Sequence, residues 1–519
     1  MIRPLLPTLL LLSLASPPAQ ARQWIFPGVA DPVDADFVAE NNGYVVLTGE
    51  NGASFELPLA NFSKPDQAYI RLLSAPPEQR TAFAGPGKPV SRARDYKVRE
   101  EETITGELVT LGPSSELRLG GTGDVLRGSS VRFTASDGWL LFERIPPSEV
   151  SASFLDRMLV GHAPADPGRN VRVVAHAGGT LVIPHPPDFA ALTLFEGPGL
   201  SGKSLSLGCQ EKHGEEQLGE LGTRPGSLVL RRGYMATLAE NADGTGASRN
   251  YVAQDHDVVL GEMPKELANG VRFVRVFPWR WTSKKGIAGG IHQNLGVGWF
   301  YNWNISDRSS AGLEYVPIKQ KRWWPGLDHD WQALGATHLL GYNEPDRPDQ
   351  ANMSVDEALA GWPELLRTGL RLGSPAPSDG GLGWLYEFMD KADRQGLRVD
   401  FVAVHYYRGH GNPGDAKGAA NQMKAFLQRV HDRTRRPLWV TEWNNGANWS
   451  QEPDPNERQQ RDAIREMIEM LDETPFVERY ALYNWVEPVR ELVRKDGSLT
   501  PAGQVYRDQR SPVFFRQPK

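Results

Sequence analysis

From about residue 283 to residue 490 the chain repeats one pattern, a short apolar run followed by a polar or amphipathic stretch. Eight runs can be walked in order: 286–289, 299–303, 314–318, 338–343, 371–376, 400–407, 438–442 and 478–485. Stretches of helical periodicity, such as 355–370 and 458–471, separate several of them. Apolar runs of four to eight residues read as buried strands. Strands alternating with helices read as βα units on a parallel sheet. Eight such units predict a C-terminal (β/α)8 barrel, the TIM-barrel architecture, over 282–510.

The texture before residue 280 is different. Short β-type runs alternate there with Gly, Pro and Asn turns, and long helical patterns are nearly absent. The chain is therefore predicted to be multidomain, with N-terminal all-β modules ahead of the barrel. Residues 22–73 read as a small meander of strands at 33–40, 44–47 and 54–59, closed by a helix start at Ser63 and Pro65. Residues 74–100, rich in Pro, Arg, Ala and Gly, read as a linker. Residues 101–189 read as an all-β spacer. Residues 190–281 hold two copies of a strand, a glycine hairpin and a closing strand, one starting at Leu192 and a weaker one at Ala236.

The first residues bear on compartment. A basic start with Arg3, a leucine-rich stretch over 5–14 and the small-x-small site Ala19-Gln20-Ala21 predict a secretory signal peptide over 1–21. The chain has one cysteine, Cys209, so no intramolecular disulfide can form. Export without disulfides points to a bacterial protein of the periplasm or medium. A net charge of −6 without a basic block argues against nucleic acid as a partner. No second long apolar segment follows, so membrane insertion is not expected.

Two glutamates stand at the ends of predicted strands: Glu344 after His338-Leu339-Leu340-Gly341-Tyr342-Asn343, and Glu442 after Pro437-Leu438-Trp439-Val440-Thr441. Active sites of such barrels lie at the C-terminal strand ends. Those ends also carry Trp303, Asn343, His405, Tyr407 and Trp485. A glutamate pair among aromatics suits glycoside hydrolysis, which needs one carboxylic acid to protonate the leaving oxygen and one carboxylate to attack the sugar or activate water. Among fifteen tryptophans, many serve as core, but adjacent pairs such as Trp323-Trp324 cannot both face one core.

The motifs Trp299-Phe300-Tyr301-Asn302-Trp303, Gly341-Tyr342-Asn343-Glu344-Pro345-Asp346, Gly373-Ser374-Pro375-Ala376, the run from Asp400 to Tyr407, and Trp439-Val440-Thr441-Glu442-Trp443 resemble the Asl-like glycosyl hydrolase catalytic domain, glycoside hydrolase family 128. The resemblance covers about residues 283–490. It implies a retaining hydrolase of β-1,3-glucan with no metal or cofactor, with Glu344 as acid/base and Glu442 as nucleophile. It further implies that Asn343 bonds the sugar 2-hydroxyl, that His405 and Tyr407 orient the nucleophile or substrate, and that Trp303, Trp443 and Trp485 stack on sugars. The expected partner is a β-glucan poly- or oligosaccharide. Residues 22–73 resemble a Sla-type homology domain one, an SH3-like barrel, and residues 190–281 resemble a βγ-crystallin double Greek key. The alternative is a catalytically weak glycan-binding or wall-associated protein using the barrel as an oligosaccharide-binding module. The presence of both glutamates favours the enzyme.

Overall fold

The computed structural model describes residues 115–517 without interruption and, before them, 22–24, 33–41, 43–49, 53–62, 67, 70, 95–98, 104 and 108–113. The expected leader over 1–21, most of the expected linker and the helix start at Ser63 and Pro65 lie outside the described residues. The described residues fall into two compact units, those up to 173 with 178–187, and 174–177 with 188–517.

In the first unit the strands Arg22–Trp24, Val33–Asn41, Tyr44–Gly49 and Ser54–Pro58 form an antiparallel sheet in chain order. Alternation sends Val45 and Leu47 inward to meet Trp24 and Phe62. The Trp24 indole N–H donates to the Ala35 carbonyl at 2.7 Å, so the buried ring keeps its one donor satisfied.

The segment after it is built from two sheets sharing one core, which includes Val109, Leu117, Val131 and Leu140. Successive strands alternate between the sheets. Asp95–Val98, Glu116–Leu119 and Trp139–Phe142 lie side by side in one; Leu108–Leu111, Ser130–Phe133 and Met158–Val160 lie in the other. Each step crosses over, so neighbours within a sheet run parallel. One sequence boundary needs correction. Asp95–Val98 falls within the expected linker of 74–100, yet it is the edge strand of this sheet. With only two apolar residues in an Arg-rich setting, it carries too little pattern to stand out.

In the second unit, residues 190–281 form two four-stranded sheets. One has the order Ser201–Leu207, Leu192–Gly197, Ser227–Leu230, Val258–Leu260; the other has Gln210–His213, Phe273–Pro278, Tyr234–Ala239, Ser248–Ala253. Each copy lends its third strand to the other's sheet, so the two share the core around Leu194, Leu228, Leu238 and Val274. Ser227 ties the first hairpin down, donating to the Gly197 carbonyl at 2.6 Å and accepting from the Leu200 N–H at 3.0 Å.

The remainder is a ring of parallel strands: Lys285–Ala288, Trp299–Tyr301, Glu314–Tyr315, His338–Leu339, Arg371–Leu372, Val402–Tyr406, Leu438–Trp443 and Val477–Tyr483. Consecutive strands pair parallel, through single bridges at Ile318–Leu340 and Gly373–Phe401, and the eighth pairs with the first. Helices follow the third to eighth strands: Trp331–Leu334, Val355–Arg367, Leu382–Arg394, Ala416–Thr434, Glu457–Glu473 and Pro501–Asp508. No helix follows the first two. Their connections, 289–298 and 302–313, are rich in Gly, Asn and Ser, which favour turns. The helices of 355–367 and 457–473 start on capping boxes, Ser354 with Glu357 and Asn456 with Gln459.

A core of Tyr301, Ile318, Leu340, Phe401 and Trp439 lies among these strands, with Phe401 stacked on Trp439 at 4.2 Å. Beside it is a buried charged network. Arg371 makes a two-pronged pair with Glu478, and Arg479 reaches Glu314 at 2.8 Å. The His338 Nδ1 lies 3.1 Å from Glu314. Burial and the flanking Arg479 and Arg371 guanidiniums push the His338 pKa down to about 3, so it is neutral at ordinary pH. Paired, these charges are tolerated; with one partner removed they would be costly.

Candidate active site

Trp303, Asn343, Glu344, Tyr407, Glu442 and Tyr483 lie at or just past the C-terminal ends of ring strands, and loops add Arg347, Gln350, Asp379 and Trp449. Glu344 follows the fourth strand with φ +40°, and Trp303 follows the second with φ +55°. The left-handed region costs a bulky side chain of the order of 1–3 kcal/mol and persists only where surroundings enforce it. At Glu344 the N–H donates to the Ala376 carbonyl at 2.7 Å, and the carbonyl accepts from Arg347 N–H at 3.1 Å. The chain is thus clamped on both sides of the turn that aims the carboxyl at the cleft.

Glu442 reaches the same cleft because the seventh strand carries a bulge. Val404 pairs with Val440 but His405 pairs with Glu442, which leaves Thr441 as an extra residue. The bulge restarts the inward–outward alternation, so Trp439 and Glu442 share the inner face. Three donors converge on the Glu442 carboxyl. Tyr301 hydroxyl and Trp303 indole N–H each donate to Oε1 at 2.9 Å, and Tyr407 hydroxyl donates to Oε2 at 2.7 Å.

His405 stands between the two glutamates. Its Nδ1 is 3.0 Å from Glu344 Oε1 and 3.7 Å from Glu442 Oε2. Burial depresses its pKa, but the charge of Glu442 and the hydrogen bond and charge of Glu344 outweigh it, leaving the ring above its ordinary value. Tyr301 and Tyr407 are pushed well above theirs, by burial first and then by the Glu442 charge. They stay protonated and act as donors. One oxygen of Glu344, one of Glu442 and one His405 nitrogen all lie within 4.8 Å of one another. That set has the chemistry of a metal site, but its atoms are already engaged with one another and with the Tyr and Trp donors, so it fits a proton-handling pair better.

The cleft holds about 730 Å³ and has a mixed aromatic and polar lining. Trp303, Tyr407, Trp449 and Tyr483, whose rings touch in series, supply its aromatic lining, and Gln320, Asn343, Arg347, Gln350 and Asp379 its polar lining. Asn343 donates to Gln350 at 3.3 Å, while its side-chain oxygen is buried without a partner and free to accept from a bound hydroxyl.

Of the residues expected from sequence, Glu344, Glu442, Asn343, Tyr407 and Trp303 line the cleft, and His405 lies directly behind the pair. Trp485 sits at the rim, 44% exposed, 6.2 Å from the Trp303 ring. It fits there because position 289 is glycine, whose Cβ would lie 2.2 Å from the indole. Trp443 is the correction. It is fully buried and packs on Tyr480 and Tyr506, because the residue after the inward Glu442 must point outward. Sequence reasoning missed Tyr301, Tyr483 and Trp449. The first two precede Trp303 and Trp485 by two residues, so strand periodicity could have found them. Trp449 lies in a loop with no such signal.

The family model described as "Glycosyl hydrolase catalytic core" matches residues 278–506. "Alkali-sensitive linkage protein 1" of Schizosaccharomyces pombe is 27% identical over 240 residues, 41% of this chain; the chain spans 40% of that protein's length. An endo-β-1,3-glucanase of GH128 subgroup I from Amycolatopsis mediterranei, solved with laminaritriose, is 34% identical. It is matched over 98% of its own length and 43% of this chain, with a TM-score of 0.38. A subgroup II endo-β-1,3-glucanase from Sorangium cellulosum is 27% identical, over 98% of its length and 43% of this chain, with a TM-score of 0.36. With 34% identity across 98% of the Amycolatopsis mediterranei enzyme and the catalytic-core model matched over 278–506, the C-terminal part of the chain belongs to the GH128 family as a GH128-like catalytic domain.

Proposed function

We propose that the protein is an exported retaining glycoside hydrolase of β-1,3-glucan, working by double displacement on a (β/α)8 barrel formed by residues 282–510. Glu344 gives its proton to the glycosidic oxygen as Glu442 attacks the anomeric carbon, which releases the leaving chain and forms a glycosyl ester. Glu344, now a carboxylate, takes a proton from water, which displaces Glu442 and regenerates both groups. Asn343 accepts from the sugar 2-hydroxyl, and Trp303, Tyr483 and Trp449 face the ring.

The observation that carries this reading is the carboxyl separation, with oxygens of Glu344 and Glu442 within 4.8 Å. Retaining pairs stand about 5–5.5 Å apart, whereas inverting pairs stand about 6.5–9.5 Å apart to admit a water. The choice of β-1,3-glucan rests on the family resemblance of the motifs. Residues 1–21 are the proposed export signal. Residues 22–73 and 190–281 are the proposed SH3-like and crystallin-like modules, the latter supported by the exchange of third strands.

The test is the anomeric configuration of products. Nuclear magnetic resonance of laminari-oligosaccharide hydrolysis should show the β-anomer first. In Glu344→Ala, azide should yield a β-glycosyl azide from an aryl substrate, and in Glu442→Ala an α-glycosyl azide. Initial release of the α-anomer by the wild-type protein refutes the nucleophile assignment.

A further inference from the structure

A second cavity, of about 680 Å³, lies far from the catalytic pair along the strand direction. The catalytic groups sit at the C-terminal ends of the ring strands. Arg398 and Asp400 precede the sixth strand and Arg436 and Pro437 precede the seventh, so this cavity opens at their N-terminal ends. Its opposite wall is Ser248–Ala253, the outermost strand of its sheet. The C-terminal tail closes the third side: Gln517 accepts from Val252 N–H at 3.1 Å and donates to the Asn250 carbonyl at 2.7 Å.

The charge of the lining is unbalanced. Five arginines (249, 398, 435, 436 and 516) face three carboxylates, Glu266, Asp393 and Asp400. Arg249 pairs with Glu266, Arg398 with Asp400, and Arg436 with Asp393. That leaves Arg516 and Arg435. Arg516 is exposed with no ion pair among the described residues, and Arg435 has only a 3.7 Å approach to Asp432. Arg435 also holds the left-handed position, φ +56°, that ends the helix Ala416–Thr434. Glycine is the unstrained residue there. Guanidinium forks bind compact oxyanions through paired N–H donors.

We propose that this cavity binds a compact dianion of the phosphate class, inorganic phosphate or a phosphomonoester, which ties the tail and the edge strand Ser248–Ala253 to the ring. Arg516, with no ion pair among the described residues, and Arg435, held only by the 3.7 Å approach to Asp432, supply positive charge for it. The anion would bridge three separate pieces of chain, so its binding should register as stability rather than as turnover.

The test is a thermal melt of the full chain, with no glucan present, in sodium phosphate or glycerol phosphate against sodium chloride of equal ionic strength at pH 7.5. Saturating phosphate should raise the midpoint by about 2–5 °C, and the double variant Arg435→Asn, Arg516→Gln should lose most of that gain. Both positions are exposed and remote from the cleft, so the variant should hydrolyse glucan as the wild type does. A gain with inorganic phosphate alone restricts the ligand to the free ion; a gain with both admits phosphomonoesters. No gain over chloride with either, or an equal gain in the double variant, overturns the proposal. Because hydrolysis is not the readout, the outcome is independent of the glycosidase reading.

Discussion

Removing the Tyr407 hydroxyl tests whether the donors around Glu442 serve the reaction. Tyr407 donates to Glu442 Oε2 at 2.7 Å, and the other group near that oxygen, His405, is 3.7 Å away and turned to Glu344. Oε1 is served twice, by Tyr301 and Trp303. Tyr407→Phe keeps the ring, which is buried, and deletes the sole short donor to Oε2. A hydrogen bond to a charged group is worth about 1.5–3 kcal/mol, and each 1.36 kcal/mol is tenfold in rate. If that contact holds the carboxylate in its attacking pose, kcat/KM should fall by about 10–150-fold. Tyr301→Phe leaves Trp303 on the same oxygen, so its loss should be several-fold smaller. The assay is kcat/KM on an aryl laminaribioside, which reports the attack step, with melting midpoints confirming that both variants fold. A Tyr407→Phe enzyme within threefold of wild type, or a Tyr301→Phe enzyme the more damaged of the two, refutes the reasoning.

Two further expectations separate site from scaffold. Trp443→Ala empties a fully buried site and should cost about 3–5 kcal/mol in denaturant unfolding. Trp449→Ala, at an exposed cleft position, should leave the unfolding curve in place and raise KM for oligosaccharides. His338 supplies a pH expectation. Its folded pKa of about 3 lies below the unfolded value near 6.5, so its contribution is complete above pH 6.5 and drains away as pH falls toward 3. The span is of the order of 5 kcal/mol, and acid unfolding of His338→Gln should show a shallower pH slope than wild type between those limits.

How much of this was legible in the sequence follows from what kind of pattern each feature leaves. That Glu344 and Glu442 line one cleft was legible because a short apolar run precedes each. The capped helices 355–367 and 457–473 were legible because an amphipathic face and its cap are both local. Some of the spacer's strands, such as Glu116–Leu119 and Trp139–Phe142, are legible, but Asp95–Val98 and Met158–Val160 are not, nor is the alternation between two sheets. Parallel pairing arises from where each connection crosses, and no residue type marks that. Trp443 shows the limit most sharply. Plain alternation from Trp439, which points into the ring, would put Thr441 and Trp443 inside and Glu442 outside. The bulge at Thr441 reverses that order, bringing Glu442 to the cleft and Trp443 to the scaffold. A β-bulge leaves no compositional trace, so the sequence supports the glutamate only through its neighbours and the tryptophan not at all. The same holds for the left-handed backbone at Glu344 and Trp303. Neither residue type favours it, and what sustains it is the set of distant partners: Ala376 for one and Glu442 for the other. The site is therefore least legible where it is most constrained, because its local preferences are overruled by contacts that only the closed ring of strands brings together.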